Sequence, residues 1–394
     1  MTKSFEQMLY LFGAASRGTE PKIAGKLNIE EIRKYAQEQG IWTVIYTLLF
    51  AICPEVIKYQ NEFLQTISRC MTQKEFTLRV IQSLEKNGIS CCMLKGAVVA
   101  ELYTETDCRV SSDTDILINP EDEERLTAIL QKLGYRVEKR AENDHHVKAY
   151  HPVGGLLEAH IQLYSHTTQR ILFNGLDMYN EPFSTVQISG IPIKTLGVND
   201  NLMYLTAHYI KHLTNSGGGV RQMMDLLLYL EAYKDEIDFE RYENLLKQLR
   251  YEKLIQVVKT VGAKYWGFDY PIAEEELAEK VLKDSAEGGI FGFSTDTRFN
   301  FYDAYCSRRT DMSKYRYQLY KWSKSERSFF DKVFMPKKDL LDLGYTYAKN
   351  TILMPVAWVH HIIDVLRRRK SEKNVKNEPF EARMQMMRDL GMID

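Results

Sequence analysis

The stretch from Arg109 to Asn119, RVSSDTDILIN, decides how the rest of the chain is read. It sets two aspartates, Asp113 and Asp115, one residue apart at the mouth of an apolar run. In an extended strand residues i and i+2 face the same side, so the two carboxylates project together while Thr114 points away. Carboxylates that close repel, and each tends to take up a proton unless a cation lies between them. A divalent ion removes the conflict. Magnesium takes a few carboxylates together with phosphate oxygens, and paired metals clamp the attacking and leaving oxygens of an in-line displacement. The plainer alternative is a solvated turn, since Ser-Ser-Asp is also good turn chemistry and an isolated Asp-x-Asp carries little information.

The flanking sequence favours the first reading. Upstream, CCMLKGAVVAELY (91–103) reads as a strand that stops at Lys95-Gly96 and turns directly into a helix, which sets backbone N–H groups and a lysine where phosphates bind. Gly96 permits close backbone approach. Downstream, GLLEAHIQLY (155–164) puts Glu158 and His160 on one strand face, a third carboxylate and a neighbour able to orient it. Taken singly, Lys95 reads as a surface lysine and Glu158 as an outward strand position. The succession of strand, Lys-Gly and helix, then a strand with Asp-x-Asp, then a strand with Glu-x-His, is far harder to assemble by accident.

A chain of 394 residues, 44% hydrophobic, can bury a sizeable core, and its length favours two or three folding units. Lys and Arg number 52 against 53 acids, so no global field favours nucleic acid, acidic substrates or a membrane surface. Six cysteines show neither CxxC pairs nor regular spacing, and they read as reduced thiols of a cytosolic protein. The first residues, MTKSFEQMLYLFGAASRG, lack the uninterrupted apolar core of a signal peptide. No run approaches the ~18–20 apolar residues of a membrane-spanning helix.

Periodicity divides the chain in three. Apolar residues recur at helical spacing over 1–86. Residues 87–197 change to short apolar runs separated by turns (ISCCML, DILIN, YRVEKR, HVKAYH, LLEAHIQLY, VQISG, IPIKTL), with helices at Ala97–Tyr103 and Pro120–Leu133, the latter loaded with acids in its first turn. From residue 198 to 394 the spacing is helical again, ending in a polar, frayed LRRRKSEKNVKNEPFEAR. The fold class is α+β: a small mixed-sheet domain flanked by helical regions.

Together, MLKGAVVAELY, Arg109 with the DTDILI strand, and GLLEAHIQLY resemble a bacterial nucleotidyltransferase family within the DNA polymerase β-like superfamily. The family pattern is Leu-Lys-Gly, a Tyr about a turn and a half later, Arg-x-x-x-Asp-x-Asp, and a later Glu-x-His; Tyr103, Arg109, Asp113, Asp115, Glu158 and His160 fall on it. The resemblance covers roughly Ile81 to Tyr229. It implies that Asp113, Asp115 and Glu158 hold two Mg²⁺ (or Mn²⁺) ions and that the loop of Lys95 and Gly96 holds an NTP triphosphate. The wider superfamily usually has Gly-Ser in that loop, whereas Lys95-Gly96-Ala97 offers a point charge before the glycine and no hydroxyl after it.

The implied chemistry is attack of an acceptor oxygen on the α-phosphorus with pyrophosphate leaving, catalysed by positioning and charge neutralisation. In that scheme Glu158 ligates the acceptor-side ion and takes the acceptor proton, Lys95 and Arg109 counter the triphosphate, and Ser111 and Ser112 are weaker hydroxyl donors. Arg109 reads equally well as a salt bridge to the two aspartates.

A second constellation follows. His208 and His212 are four apart in TAHYIKHL, and after TNSGGGV come Arg221 and Asp225, likewise four apart. No glutamate follows His208 and no third ligand is evident, so this is not read as a zinc site. The resemblance extends to this pattern and implies that His208, His212, Arg221 and Asp225, with His160, line the cleft. Otherwise it is an Arg221–Asp225 surface pair beside two interface histidines.

His145 and His146 read as solvent-exposed. Residues 291–322, rich in Arg, Lys and Tyr, read as helical core with a solvated basic face rather than a nucleic-acid surface. Trp358, His360 and His361 before LRRRK read as a terminal core helix rather than one lying on a membrane.

The expectation is therefore an Mg²⁺-dependent nucleotidyltransferase: a helical region 1–86, a catalytic domain 87–197, and a helical region 198–394 that closes the cleft and selects the acceptor. A sugar, a small metabolite, RNA or protein would all serve as acceptor with the same chemistry. Its rivals are a non-catalytic nucleotide-binding or scaffold protein retaining the fold, and a toxin that modifies RNA or protein.

Overall fold

The computed structural model describes residues 1–140, 144–164, 172–173, 181–215, 217–290, 337, 340, 345–372 and 378–393. The chain divides into two compact units, Met1–Phe293 and Ser294–Asp394.

The first unit opens with four helices: α1 (Lys3–Arg17), α2 (Ile29–Glu38), α3 (Trp42–Ile52) and α4 (Gln60–Lys86). α1 begins where the Thr2 hydroxyl accepts from the Phe5 N–H and ends at Gly18, whose φ of 64° only glycine adopts without strain. In α4 the buried positions Gln73, Thr77, Val80, Ile81 and Leu84 recur at helical spacing, giving one stripe that covers a sheet.

That sheet has seven strands: β1 (Cys91–Met93), β2 (Asp113–Ile118), β3 (Arg136–Val137), β4 (His146–His151), β5 (Gly155–His160), β6 (Ser184–Ile188) and β7 (Ile191–Thr195). They lie in the order β3-β4-β5-β2-β1-β7-β6. β2 runs parallel to β5, and β1 parallel to β7; the remaining pairs are antiparallel. All seven apolar runs singled out in the sequence form strands, although YRVEKR pairs only over Arg136–Val137 and LLEAHIQLY leaves the sheet after His160. The α+β mixed-sheet class holds.

Alternation along β2 fixes the site. Ile116 and Ile118 enter the core that Leu78, Ile81 and Leu84 of α4 form with Leu126, Ile129 and Leu130 of α6 (Glu123–Lys132). Burying two such side chains is worth about 1.5–3 kcal/mol each. On the same side the Thr114 hydroxyl meets Thr77 Oγ1 at 3.1 Å and the Gln73 amide at 3.4 Å. Asp113 and Asp115 therefore take the opposite face, and a one-residue slip would drive both into the apolar core. Between β1 and β2 lies α5 (Gly96–Ala100), which stops short of the expected Tyr103. α6 carries Glu123 and Glu124 in its first turn, as its dipole favours.

After the sheet come α7 (Val198–Asn215), α8 (Val220–Ala232), α9 (Phe239–Leu249), α10 (Glu252–Val261) and α11 (Glu275–Gly288). The N-terminal helices lock onto them. The Gln39 amide donates to the Ser285 carbonyl at 2.6 Å, and its Oε1 accepts from the Val220 N–H at 3.0 Å. Gly13 lies so close to Trp266 that a Cβ there would come within 2.7 Å of the indole.

In the second unit, α12 (Met354–Glu372) packs Ala357 against Leu340 and Ala348, and α13 (Glu378–Asp389) follows. The tail expected to fray is helical through Glu372 and again from Glu378. The aromatic and basic stretch 291–322 lies outside the described residues. Among the described residues no helix is long and apolar enough to cross a membrane.

Candidate active site

The parallel pairing of β2 with β5 sets Asp115 opposite Glu158, Asp113 opposite Leu156 and Leu117 opposite His160. Two strands far apart in sequence thus bring their acidic residues to one sheet face. The ligand atoms of Asp115, Glu158 and His160 lie within 4.8 Å of one another. Asp115, with 2% of its side chain exposed, has both oxygens engaged: Oδ1 lies 2.9 Å from His160 Nε2, and Oδ2 lies 3.1 Å from Lys95 Nζ. His160, itself buried, therefore orients Asp115 rather than Glu158. Asp113 is half-buried and accepts from the Ser111 hydroxyl at 3.1 Å; Ser112 is exposed.

Lys95 reaches Asp115 from the bend between β1 and α5, where its backbone takes φ 30° and ψ −111°. A non-glycine residue at positive φ costs of order 1–3 kcal/mol, and such strain concentrates at functional sites. Burial works against the Lys95 ammonium, but Asp115 and Asp113 more than offset it and hold its pKa above the usual lysine range. Burial likewise opposes the Asp115 charge, yet Lys95 and His160 hold that carboxyl well below the usual carboxylate range. A Cβ added at Gly96 would lie 3.6 Å from Ser111 Oγ and 3.9 Å from Arg109 Nη1, so the glycine faces the space between these groups.

Glu158 has the opposite character. Burial, then the charges of Asp115 and Asp113, push its carboxyl above the usual range. Its Oε1 lies 3.7 Å from His146 Nε2 and 3.8 Å from Lys148 Nζ, too far for hydrogen bonds. The ligand atoms that converge are the Asp115 and Glu158 carboxylate oxygens and a His160 ring nitrogen, a set able to hold a metal ion, while Asp113 reaches Glu158 through its charge.

His146 and Lys148 come from β4, opposite His160 and Glu158. The expectation that His145 and His146 are solvent-exposed is corrected: both are half-buried, with ring centroids 5.4 Å from that of His160. Burial, then the neighbouring imidazoles, pushes His145 down to about 3 and His146 to about 4.

Arg109, in the loop before β2, pairs with Asp225 rather than with Asp113 and Asp115, contrary to one reading of the sequence. Its Nε donates to Asp225 Oδ1 at 3.2 Å and its Nη2 to Asp225 Oδ2 at 2.5 Å, while the Tyr103 hydroxyl donates to Asp225 Oδ1 at 2.7 Å. The expected Arg221–Asp225 pair is likewise replaced: Arg221 Nη1 donates to the carbonyls of Val110 (3.0 Å) and Gly40 (3.3 Å). These bonds hold the loop before β2 against α8. Arg109 Nη1 is buried without a hydrogen-bond partner among the described residues, and it faces Gly96.

α7 brings further cations. The His208 and His212 rings lie 4.4 Å apart, and burial, followed by the charge of Lys95, pushes His212 down to about 3 and His208 well below its usual value. Among the described residues no cluster of metal-ligating side chains includes them. Lys211, one helical turn from His208, is within electrostatic reach of Asp115, Glu158 and Asp113. The sequence reading passed over Lys211, although its i+3 spacing from His208 marked it as a neighbour on the same face.

Solved structures similar in part include the antibiotic-resistance factor ANT(2'')-Ia (15% identity, 46% of this chain and 92% of that one, TM-score 0.34). The lincosamide antibiotic adenylyltransferase LnuA bound to lincomycin matches at 15% identity over 39% of this chain and 94% of that one, with a TM-score of 0.28. An antigenic nucleotidyltransferase-like protein from Paracoccidioides brasiliensis matches at 15% identity over 45% and 88%, with a TM-score of 0.29. No curated protein sequence gives a significant match. The family model described as uncharacterised nucleotidyltransferase spans residues 25–266, from just before α2 through the sheet to just beyond α10, and the chain belongs to that family.

Proposed function

We propose that this protein transfers a nucleoside monophosphate from an NTP to a hydroxyl or phosphate acceptor. The acceptor oxygen bonds to the α-phosphorus, the bond to the bridging oxygen of the β-phosphate breaks, and pyrophosphate leaves. The observation that carries this reading is the alignment of Asp115 with Glu158 across β2 and β5, beside Asp113 and the Lys95-Gly96 bend.

Each residue has a role that its surroundings support. Asp113, Asp115 and Glu158 would hold a divalent ion, Mg²⁺ or Mn²⁺, which when bound lowers the acceptor pKa and offsets phosphate charge. Glu158, already inclined to take up a proton, receives the one the acceptor loses. Lys95, Ser111 and the unpaired Arg109 Nη1 surround the space over Gly96 and meet the triphosphate. The first-unit helices that follow the sheet, with His208 and His212 on α7, would close the cleft and select the acceptor. The five described cysteines are free thiols, in keeping with a cytoplasmic enzyme.

The test is pyrophosphate release from each of the four NTPs with Mg²⁺, in the presence of cell extract, following α-phosphate label into its acceptor. Release that disappears in Asp113→Asn and Asp115→Asn, both still folded, supports the reading. Nucleotide-dependent thermal stabilisation that needs no divalent ion and gives no pyrophosphate would sink it in favour of a binding module.

A further inference from the structure

The resemblance stated for this sequence implies two divalent ions sharing Asp113 and Asp115. A carboxylate that bridges two ions offers one oxygen to each, and on Asp115 the Lys95 ammonium occupies Oδ2, which leaves Oδ1, with a lone pair beyond its bond to His160, for one ion. Oδ1 meets His160 Nε2 at 2.9 Å, and Oδ2 meets Lys95 Nζ at 3.1 Å.

We infer that the Lys95 ammonium takes the place of the second, nucleotide-side cation, so that the site works with a single divalent ion. The inference rests on the nucleotidyl-transfer reading above and changes its metal count.

Position supports the assignment. Glu158 approaches Asp115 from β5, and an ion held by these two carboxylates would be the acceptor-side ion. Lys95 approaches from the opposite direction, out of the bend that also presents Gly96 to Ser111 and Arg109, so its ammonium sits on the phosphate side of Asp115. The bend holds it there at φ 30°, a conformation a lysine adopts only when its surroundings impose it. A lysine carries a fixed single charge and three donors, so it can counter phosphate oxygens without the six-fold oxygen shell that Mg²⁺ requires.

Electron paramagnetic resonance of bound Mn²⁺ tests the count, because two Mn²⁺ ions about 3.5–4 Å apart are exchange-coupled and a single one is not. The protein is given two equivalents of Mn²⁺ with inorganic triphosphate, a probe independent of base preference. The wild type is expected to hold one uncoupled ion; Lys95→Met, or Lys95→Gln if the first does not fold, is expected to show a coupled pair. A coupled pair in the wild type overturns the inference while leaving nucleotidyl transfer standing. A single uncoupled ion in the folded Lys95 variants overturns it equally. Absence of any protein-bound Mn²⁺ overturns the nucleotidyl-transfer reading and this inference together.

Discussion

Arg109 and Asp225 are joined by two hydrogen bonds, Nε to Oδ1 at 3.2 Å and Nη2 to Oδ2 at 2.5 Å, across 116 residues of sequence. Both side chains are more than nine-tenths buried. The loop that delivers Asp113 and Asp115 to the sheet is thereby tied to the second helix beyond it.

Removing one partner of such a pair leaves a buried charge unanswered. Asp225→Ala is expected to destabilise the first unit by about 3–5 kcal/mol in urea unfolding, because Arg109 and Tyr103 both lose their acceptor. Tyr103→Phe removes only one neutral donor and should cost about 1 kcal/mol. Equal losses in the two variants would show that Asp225 is not the centre of this contact.

The two aspartates of β2 should differ in stability as well as in role. Asp113 is half-buried with one hydroxyl contact, so Asp113→Asn should stay within about 0.5 kcal/mol of the wild type. Asp115→Asn breaks a buried pair with Lys95 and should cost several times more, although both variants lose pyrophosphate release. Thermal melts of the two variants side by side check the order.

Glu158 is held above the usual carboxylate range, so the folded protein binds its proton more tightly than the unfolded chain does. The sign follows: its contribution is most favourable below the unfolded pKa and is lost as pH rises through the higher folded value. Glu158→Gln is therefore expected to raise the melting temperature at pH 7 in the absence of metal, by about 1–3 °C for a unit of this size. Mg²⁺ should stabilise the wild type and leave the variant where it was; a variant that melts lower without metal contradicts the account.

His212 titrates in the opposite sense. Burial and the nearby cations keep it neutral in the fold down to about pH 3, while the unfolded side chain takes up a proton near pH 6.5. Between these values the unfolded chain binds more protons, so stability falls as pH drops from about 6.5 towards 4. His212→Asn should flatten that slope in denaturation curves taken at successive pH values. An unchanged slope would place the acid sensitivity elsewhere.

Gly96→Ala has space for its methyl, at 3.6 Å from Ser111 Oγ, and should fold with wild-type stability. The added carbon enters the region assigned to phosphate, so nucleotide affinity is expected to fall by about tenfold or more, as one lost charge-assisted hydrogen bond would cause. Calorimetric titration with NTP checks it.

Much of the site was legible locally. Strand alternation put Asp113 and Asp115 on one face of their strand and Glu158 and His160 on one face of theirs, and the Lys95-Gly96 bend showed as a break between apolar runs. Such patterns are readable because side-chain direction repeats every two residues in a strand, whatever lies across from it. His145 and His146 were misjudged because HVKAYH gave the strand that begins at His146 but not the partner strand, with His160, against which both rings lie.

The sequence by itself thus determined the elements, the seven strand segments and the faces on which the chemistry sits. Only the tertiary structure decided that β2 lies parallel to β5 with Asp115 opposite Glu158, that Lys95 and His160 divide the Asp115 oxygens, and that Asp225 belongs to Arg109 rather than Arg221. Those pairings join residues 20 to 116 positions apart. Contacts at that separation depend on how whole elements pack their apolar faces, and no local periodicity records that choice.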